Sequence, residues 1–169
     1  SDIASMGAVP VYALVTLGLR HDAEVEHIKS MYDGILQACR KFGCRIIGGD
    51  VVRSPVTFVT IAMTGYSKST VLTRNSVRPG DVVAVTGYLG SSAGGLRLLQ
   101  KGYDESNARH TELIERHNHP IPRIHDGEIL SNNGVRAAMD ISDGLIGDLS
   151  KMCLISGVGA VLRIKDIPM

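Results

Sequence analysis

Residues 23–43, AEVEHIKSMYDGILQACRKFG, carry Val25, Ile28, Met31, Tyr32, Ile35, Leu36, Cys39 and Phe42 at the spacing of one face of an α-helix. An apolar helical face must be buried, and the chain offers partners on either side. VPVYALVTLGL (9–19) precedes it and CRIIGGDVV (44–52) follows, both apolar and β-branched as buried strands are. VTFVTIAMTGYS (56–67) reads as a further strand. The order strand, long helix, strand, strand predicts an α+β layer with the helix lying on the sheet. Asp22 is placed to cap the helix at its start, and Gly43 to end it in a left-handed turn.

RPGD (78–81) is a turn signal and marks a boundary, giving units 1–78 and 79–169. In the second unit VVAVTG (82–87), VRAAMDIS (135–142) and VGAVLRI (158–164) read as strands. LGSSAGGLRLLQKG (89–102), IHDGEILSNNG (124–134) and DGLIGDLSKMCLISG (143–157) read as helices, with a short exposed helix around HTELIERH. HPIPR (119–123) is extended or turning because of its prolines.

With 169 residues, 44% of them hydrophobic, the chain can bury a core; with 4% aromatics and no Trp, aliphatic side chains must fill it. A net charge of +1 supplies no basic field for nucleic acid. No apolar run approaches a membrane-spanning length. Cys39, Cys44 and Cys153 make neither a disulfide framework nor a four-ligand zinc site; reduced buried thiols fit a cytoplasmic protein.

Three junctions place Asp beside Gly, Ser or Ala. In AAMDISDGL (137–145), Ser142 or Asp143 suits a helix cap, but Asp140 falls inside an apolar run and asks for a partner. In IIGGDVVRSP (46–55), Gly48 and Gly49 before Asp50 mark a bulge or a close backbone approach to something. In SDIASMGA, Asp2 stands at a helix start, where a plain cap is the simpler reading. Each is unremarkable alone. Jointly, carboxylates on several loops suit Mg²⁺, which takes few carboxylates and completes its shell with water and phosphate.

The common nucleotide motifs are missing: there is no GxxxxGK[ST], and GYLGSSAGG (87–95) lacks the GxGxxG spacing. Its Gly/Ser-rich helix start either binds an anion or packs closely through small residues. HNHP (117–120) reads as a solvated turn. Arg74 and Arg123 are phosphate candidates or surface charge, with Arg74 favoured by its place beside the boundary. Tyr32 lies on the apolar helical face, where core packing alone would put it.

Taken together, SDIASMGA, YDGILQACRKFGCRIIGGDVVRSP, RNSVRPGDVVAVTGYLGSSAGGL, HPIPRIHDGEIL and AAMDISDGLIGDL resemble the thiamine-monophosphate kinase family in content and order. That family belongs with aminoimidazole ribonucleotide synthetase, selenophosphate synthetase and the hydrogenase maturation factor HypE. The resemblance implies an N-terminal helix-on-sheet domain that pairs with its twin in a homodimer, a second α+β domain, and ATP in a cleft near the dimer interface. It implies that Tyr32, Gly49, Asp50, Arg74 and Ser142 contact ATP, and that Asp2, Asp50, Asp140 and Asp143 hold Mg²⁺. The implied reaction moves the ATP γ-phosphoryl to thiamine monophosphate, giving thiamine diphosphate. A HypE-like or synthetase-like enzyme and a non-catalytic nucleotide-binding fragment are the alternatives. Two departures stand out. Val51 and Val52 occupy positions where the kinases usually carry threonine. The family pattern also extends before Ser1 and beyond Met169, so both domains are expected to be incomplete.

Overall fold

β1 (Val9–Leu19) is the centre of a three-stranded sheet in the order β2-β1-β3. β2 (Arg45–Arg53) runs parallel to it and β3 (Phe58–Tyr66) antiparallel. This arrangement comes from a computed structural model that describes residues 1–169.

A parallel pair needs a crossover, and α2 (Val25–Lys41) supplies it. The helix stops as its sequence predicts. The Cys44 amide donates to the Cys39 carbonyl at 2.9 Å, and Gly43 takes φ +72° between them. The side chains flanking this turn close it: Cys39 and Cys44 are buried with Ala13, and Ile35 and Ile46 pack on the cluster. All three cysteines are free and buried. The expected cap at Asp22 does not form. The Arg20 guanidinium donates twice to the Asp22 carboxylate, at 2.8 and 2.7 Å, and this bidentate pair takes the place of a helix contact. Glu24 stands at the helix start, with no side-chain cap bond.

The β1–β2 ladder slips by one residue. Ala13 lies opposite Ile46, but Leu14 lies opposite Gly48, so Ile47 is the extra residue of a bulge. Val15 then pairs with Gly49 and Thr16 with Asp50. At Gly49 φ is +153°, and a Cβ there would stand 1.8 Å from the Val15 carbonyl oxygen. The paired glycines thus serve both a bulge and a close approach, the approach being to the neighbouring strand.

The second half is built from helices. α3 (Ser91–Lys101) and α4 (Ala108–Asn118) form a hairpin. Gly95 is buried in it, and a Cβ there would meet the Leu113 carbonyl oxygen at 2.2 Å. Close packing therefore accounts for Gly95 in LGSSAGG. α4 buries no residue, as expected for an exposed helix, and runs through His117, whose Nδ1 lies 2.9 Å from Ser92 Oγ. α5 (Ile124–Asn132), α6 (Leu145–Ser156) and a single 3-10 turn (Ile164–Asp166) complete the chain. No helix is long and apolar enough to cross a membrane. The strands expected at 82–87, 135–142 and 158–164 do not form. Only an isolated parallel bridge, Thr73 to Ala137, appears there. Val82 is 90% and Val161 88% exposed. Apolar, β-branched sequence favours a strand only when a neighbour supplies the ladder, and within this chain none does.

The two halves meet where α1 (Asp2–Ser5) packs on α5. Gly127 is buried at the contact, where a Cβ would stand 2.1 Å from the Ala4 carbonyl oxygen. Beside it the Leu72 amide donates to the Met6 carbonyl at 3.0 Å, and Ser131 Oγ donates to the Thr70 carbonyl at 2.6 Å.

Candidate functional site

The predicted residues fall into two sets. Tyr32, Gly49 and Asp50 line one hollow of about 280 Å³ together with Val15, Leu17, Gly48 and Val51. Helix α2 brings Tyr32 to it half-buried, and the bulged strand β2 brings the other two. Asp50 is exposed, and its Oδ1 accepts from the Val51 amide at 2.8 Å. A separate hollow of about 300 Å³ includes Arg20, Asp22, Glu24 and His27 and none of the predicted residues.

The second set gathers around residues 140–143. Ser1 Oγ donates to Asp140 Oδ2 at 3.1 Å, which brings the start of α1, and with it the exposed Asp2, beside the half-buried Asp140. The aspartate of the apolar run thus has a polar partner, contributed from 139 residues away. Arg74 follows the Thr73–Ala137 bridge; its carbonyl accepts from Ser156 Oγ at 3.2 Å, and its exposed guanidinium makes no ion pair.

Neither Ser142 nor Asp143 caps α6. The cap position is Gly144, at φ +96° and without a side-chain bond. Asp148, in the first turn of α6, reaches back instead. Its Oδ2 accepts from the amides of Ser142 and Asp143, each at 2.9 Å. Lys151 Nζ donates to Asp148 Oδ1 at 3.0 Å and to Asp143 Oδ2 at 2.5 Å. The Asp148 side chain is only 3% exposed, whereas Asp143 is 66% exposed. Reading the sequence for caps overlooks Asp148 and Lys151. A carboxylate six residues after Ser142, on the first turns of the next helix, is the available signal.

The Lys151 hydrogen bond, helped by the two amides, holds the Asp148 carboxyl below its ordinary value against the opposing effect of burial. Asp143 and Asp148 together raise the Lys151 ammonium. A depressed folded-state carboxylate contributes stability that is complete above the ordinary Asp range and is lost as pH falls through the lowered value. A profile of Tm between about pH 2 and 5 is therefore expected to fall more steeply for the native chain than for Asp148→Asn. Parallel profiles would refute this.

No three His, Cys, Asp or Glu side chains converge, so the chain forms no closed metal cage. Mg²⁺ needs only one or two carboxylates when phosphate and water supply the other oxygens, and the donors at Asp50 and at Asp2 with Asp140 fit that chemistry. Asp143 is already paired with Lys151.

Comparison with known proteins defines the class. The pattern of the AIR synthase related protein N-terminal domain matches residues 1–67, and that of the C-terminal domain residues 78–169. The chain belongs to the AIR synthase related family. Within it, the chain is similar to thiamine-monophosphate kinases. It is 33% identical over 169 residues to that of Aquifex aeolicus, covering 100% of this chain and 55% of the relative. It is 35% identical over 170 residues to that of Escherichia coli K12, covering 99% and 51%. It thus spans about half the length of these curated relatives. Among solved structures, "AaThiL complexed with AMPPCP and TMP" superposes with a TM-score of 0.84 at 33% identity, over 92% of this chain and 50% of that one. E. coli HypE superposes at 0.65 and 20% identity, covering 92% and 48%, a likeness of fold.

Proposed function

We propose that the chain is the nucleotide-binding part of a thiamine-monophosphate kinase, which transfers the γ-phosphoryl group of ATP to thiamine monophosphate. The observation that carries this reading is the meeting of Tyr32, Gly49 and Asp50 at one hollow, in a chain whose whole length is similar to those kinases. Tyr32 offers a flat apolar wall for a base. The exposed, unpaired Arg74 suits a phosphate, and Ser142 offers a hydroxyl on the turn before α6.

The acceptor in such a transfer is a phosphate oxygen that is already ionised. Its lone pair forms the new bond to the γ-phosphorus while the bond to the bridging oxygen of ADP breaks. No general base is needed, and the candidate site is correspondingly rich in carboxylates and cations rather than bases. The residues' work is alignment and charge balance. Asp2, Asp50 and Asp140 would hold Mg²⁺, with Asp143 joining them through Oδ1, the oxygen that Lys151 does not use. The ion supplies neutralisation of phosphate charge.

We also assign the chain to a cytoplasmic homodimer. The free, buried thiols of Cys39, Cys44 and Cys153 suit a reducing compartment. Both outer strands of the sheet have an open edge, and Tyr12, Leu14 and Phe58, on the face turned away from Ala13 and α2, are each more than a third exposed, as a surface awaiting a second copy would be.

Calorimetric titration of the 169-residue chain with AMPPCP, with and without Mg²⁺, tests the central reading. Binding that requires Mg²⁺ is expected. A folded chain that takes up no nucleotide in either condition would overturn it.

A further inference from the structure

The turn that carries Ser142 and Asp143 has little to hold it. Both residues are exposed, Gly144 follows at φ +96°, and no side chain caps α6. The amides of Ser142 and Asp143 each make one hydrogen bond, and both go to Asp148 Oδ2 at 2.9 Å. The other carboxylate oxygen receives Lys151 Nζ at 3.0 Å, and the same ammonium holds the Asp143 carboxylate. A buried carboxylate is tolerated only when its oxygens are well supplied with donors, and this one has three.

We infer that Asp148 is a positioning residue of the candidate site: through the Ser142 and Asp143 amides it sets the turn, and through Lys151 it sets the direction of the Asp143 carboxylate. The inference rests on the reading that Ser142 and Asp143 meet Mg²⁺ and nucleotide. Asp148 touches neither. A carboxylate is required because it accepts on both oxygens. The amide of Asn keeps one acceptor and presents N–H groups either to the Lys151 ammonium or to the two backbone amides, donor against donor.

The test pairs a structural readout with a binding one. In the native chain, NMR hydrogen exchange is expected to show the Ser142 and Asp143 amides protected. In Asp148→Asn both should lose protection, while the Cys44 amide, bonded to the Cys39 carbonyl at 2.9 Å, keeps its own. Titration with AMPPCP and Mg²⁺ is then expected to give a Kd raised about 10- to 100-fold, the range seen when an outer partner of a metal ligand is removed. Should Asp148→Asn not fold, Asp148→Glu keeps the charge and moves the carboxylate by one methylene, and it is expected to weaken both protection and affinity. Unprotected amides in the native chain, or released amides with unchanged Kd, would overturn the inference. A native chain with protected amides that binds no nucleotide would instead overturn the site reading, leaving Asp148 a purely structural residue.

Discussion

Gly49→Ala is expected to destabilise the chain by about 3 kcal/mol, the sum of overpacking against a rigid neighbour and strain at positive φ. The new methyl would sit 1.8 Å from the Val15 carbonyl oxygen, an atom of the central strand that cannot move without breaking the β1–β2 ladder. Gly48→Ala provides the contrast. Its Cβ would meet only Leu14 Cδ2, at 3.3 Å, and a leucine tip can turn aside. That change is expected to shift stability by less than about 1 kcal/mol. Urea unfolding of the two variants checks the pair, and equal effects would refute the argument. Because Gly49 also lines the hollow with Tyr32 and Asp50, its replacement should weaken nucleotide binding even in whatever fraction stays folded.

Gly127→Ala is the second large effect. Alanine is the better helix former by about 1 kcal/mol, so propensity alone would make the change stabilising. The contact reverses the sign. A Cβ at Gly127 would stand 2.1 Å from the Ala4 carbonyl oxygen, on the face where α1 docks. Pushing the two apart should give a net loss of about 2 kcal/mol and withdraw Ser1 from Asp140, separating the two ends that form the second set of candidate residues. Gly34→Ala shows the opposite case. Gly34 lies inside α2, and an added methyl would meet nothing within 4 Å, so the change should stabilise by about 0.5–1 kcal/mol. Thermal melts of both variants check the opposed signs; a stabilised Gly127→Ala would mean the helices do not pack as described.

What was legible in the sequence was whatever local pattern and local chemistry decide. The apolar periodicity of α2, the glycine at its end, and the strands β1, β2 and β3 are written in stretches of about ten to twenty residues, and each formed. The segments 82–87, 135–142 and 158–164 carry the same β-branched apolar signal, but a strand also needs a neighbour, and no local pattern reports whether one is present. The site divides in the same way. Tyr32, Gly49 and Asp50 came together because a helix and a bulged strand with clear signatures deliver them. Asp148 escaped notice because reading for caps looks at residues ahead of the helix, whereas this carboxylate works backwards from within it.

The bulge at Ile47 has a consequence for which changes this chain can accept. Along a strand, facing alternates residue by residue, so one extra residue inverts the parity of everything beyond it. Ile46 packs on the helix-side cluster, yet Asp50, four residues later, is paired with Thr16 and so borders the hollow of Val15, Leu17 and Tyr32 from the other face of β2. Without the extra residue, Asp50 would point to the same side as Ile46. Ile47 itself is 61% exposed, so its side chain is free to vary. Position 47 can thus be almost any residue, but the strand cannot be one residue shorter there without turning its carboxylate inside out.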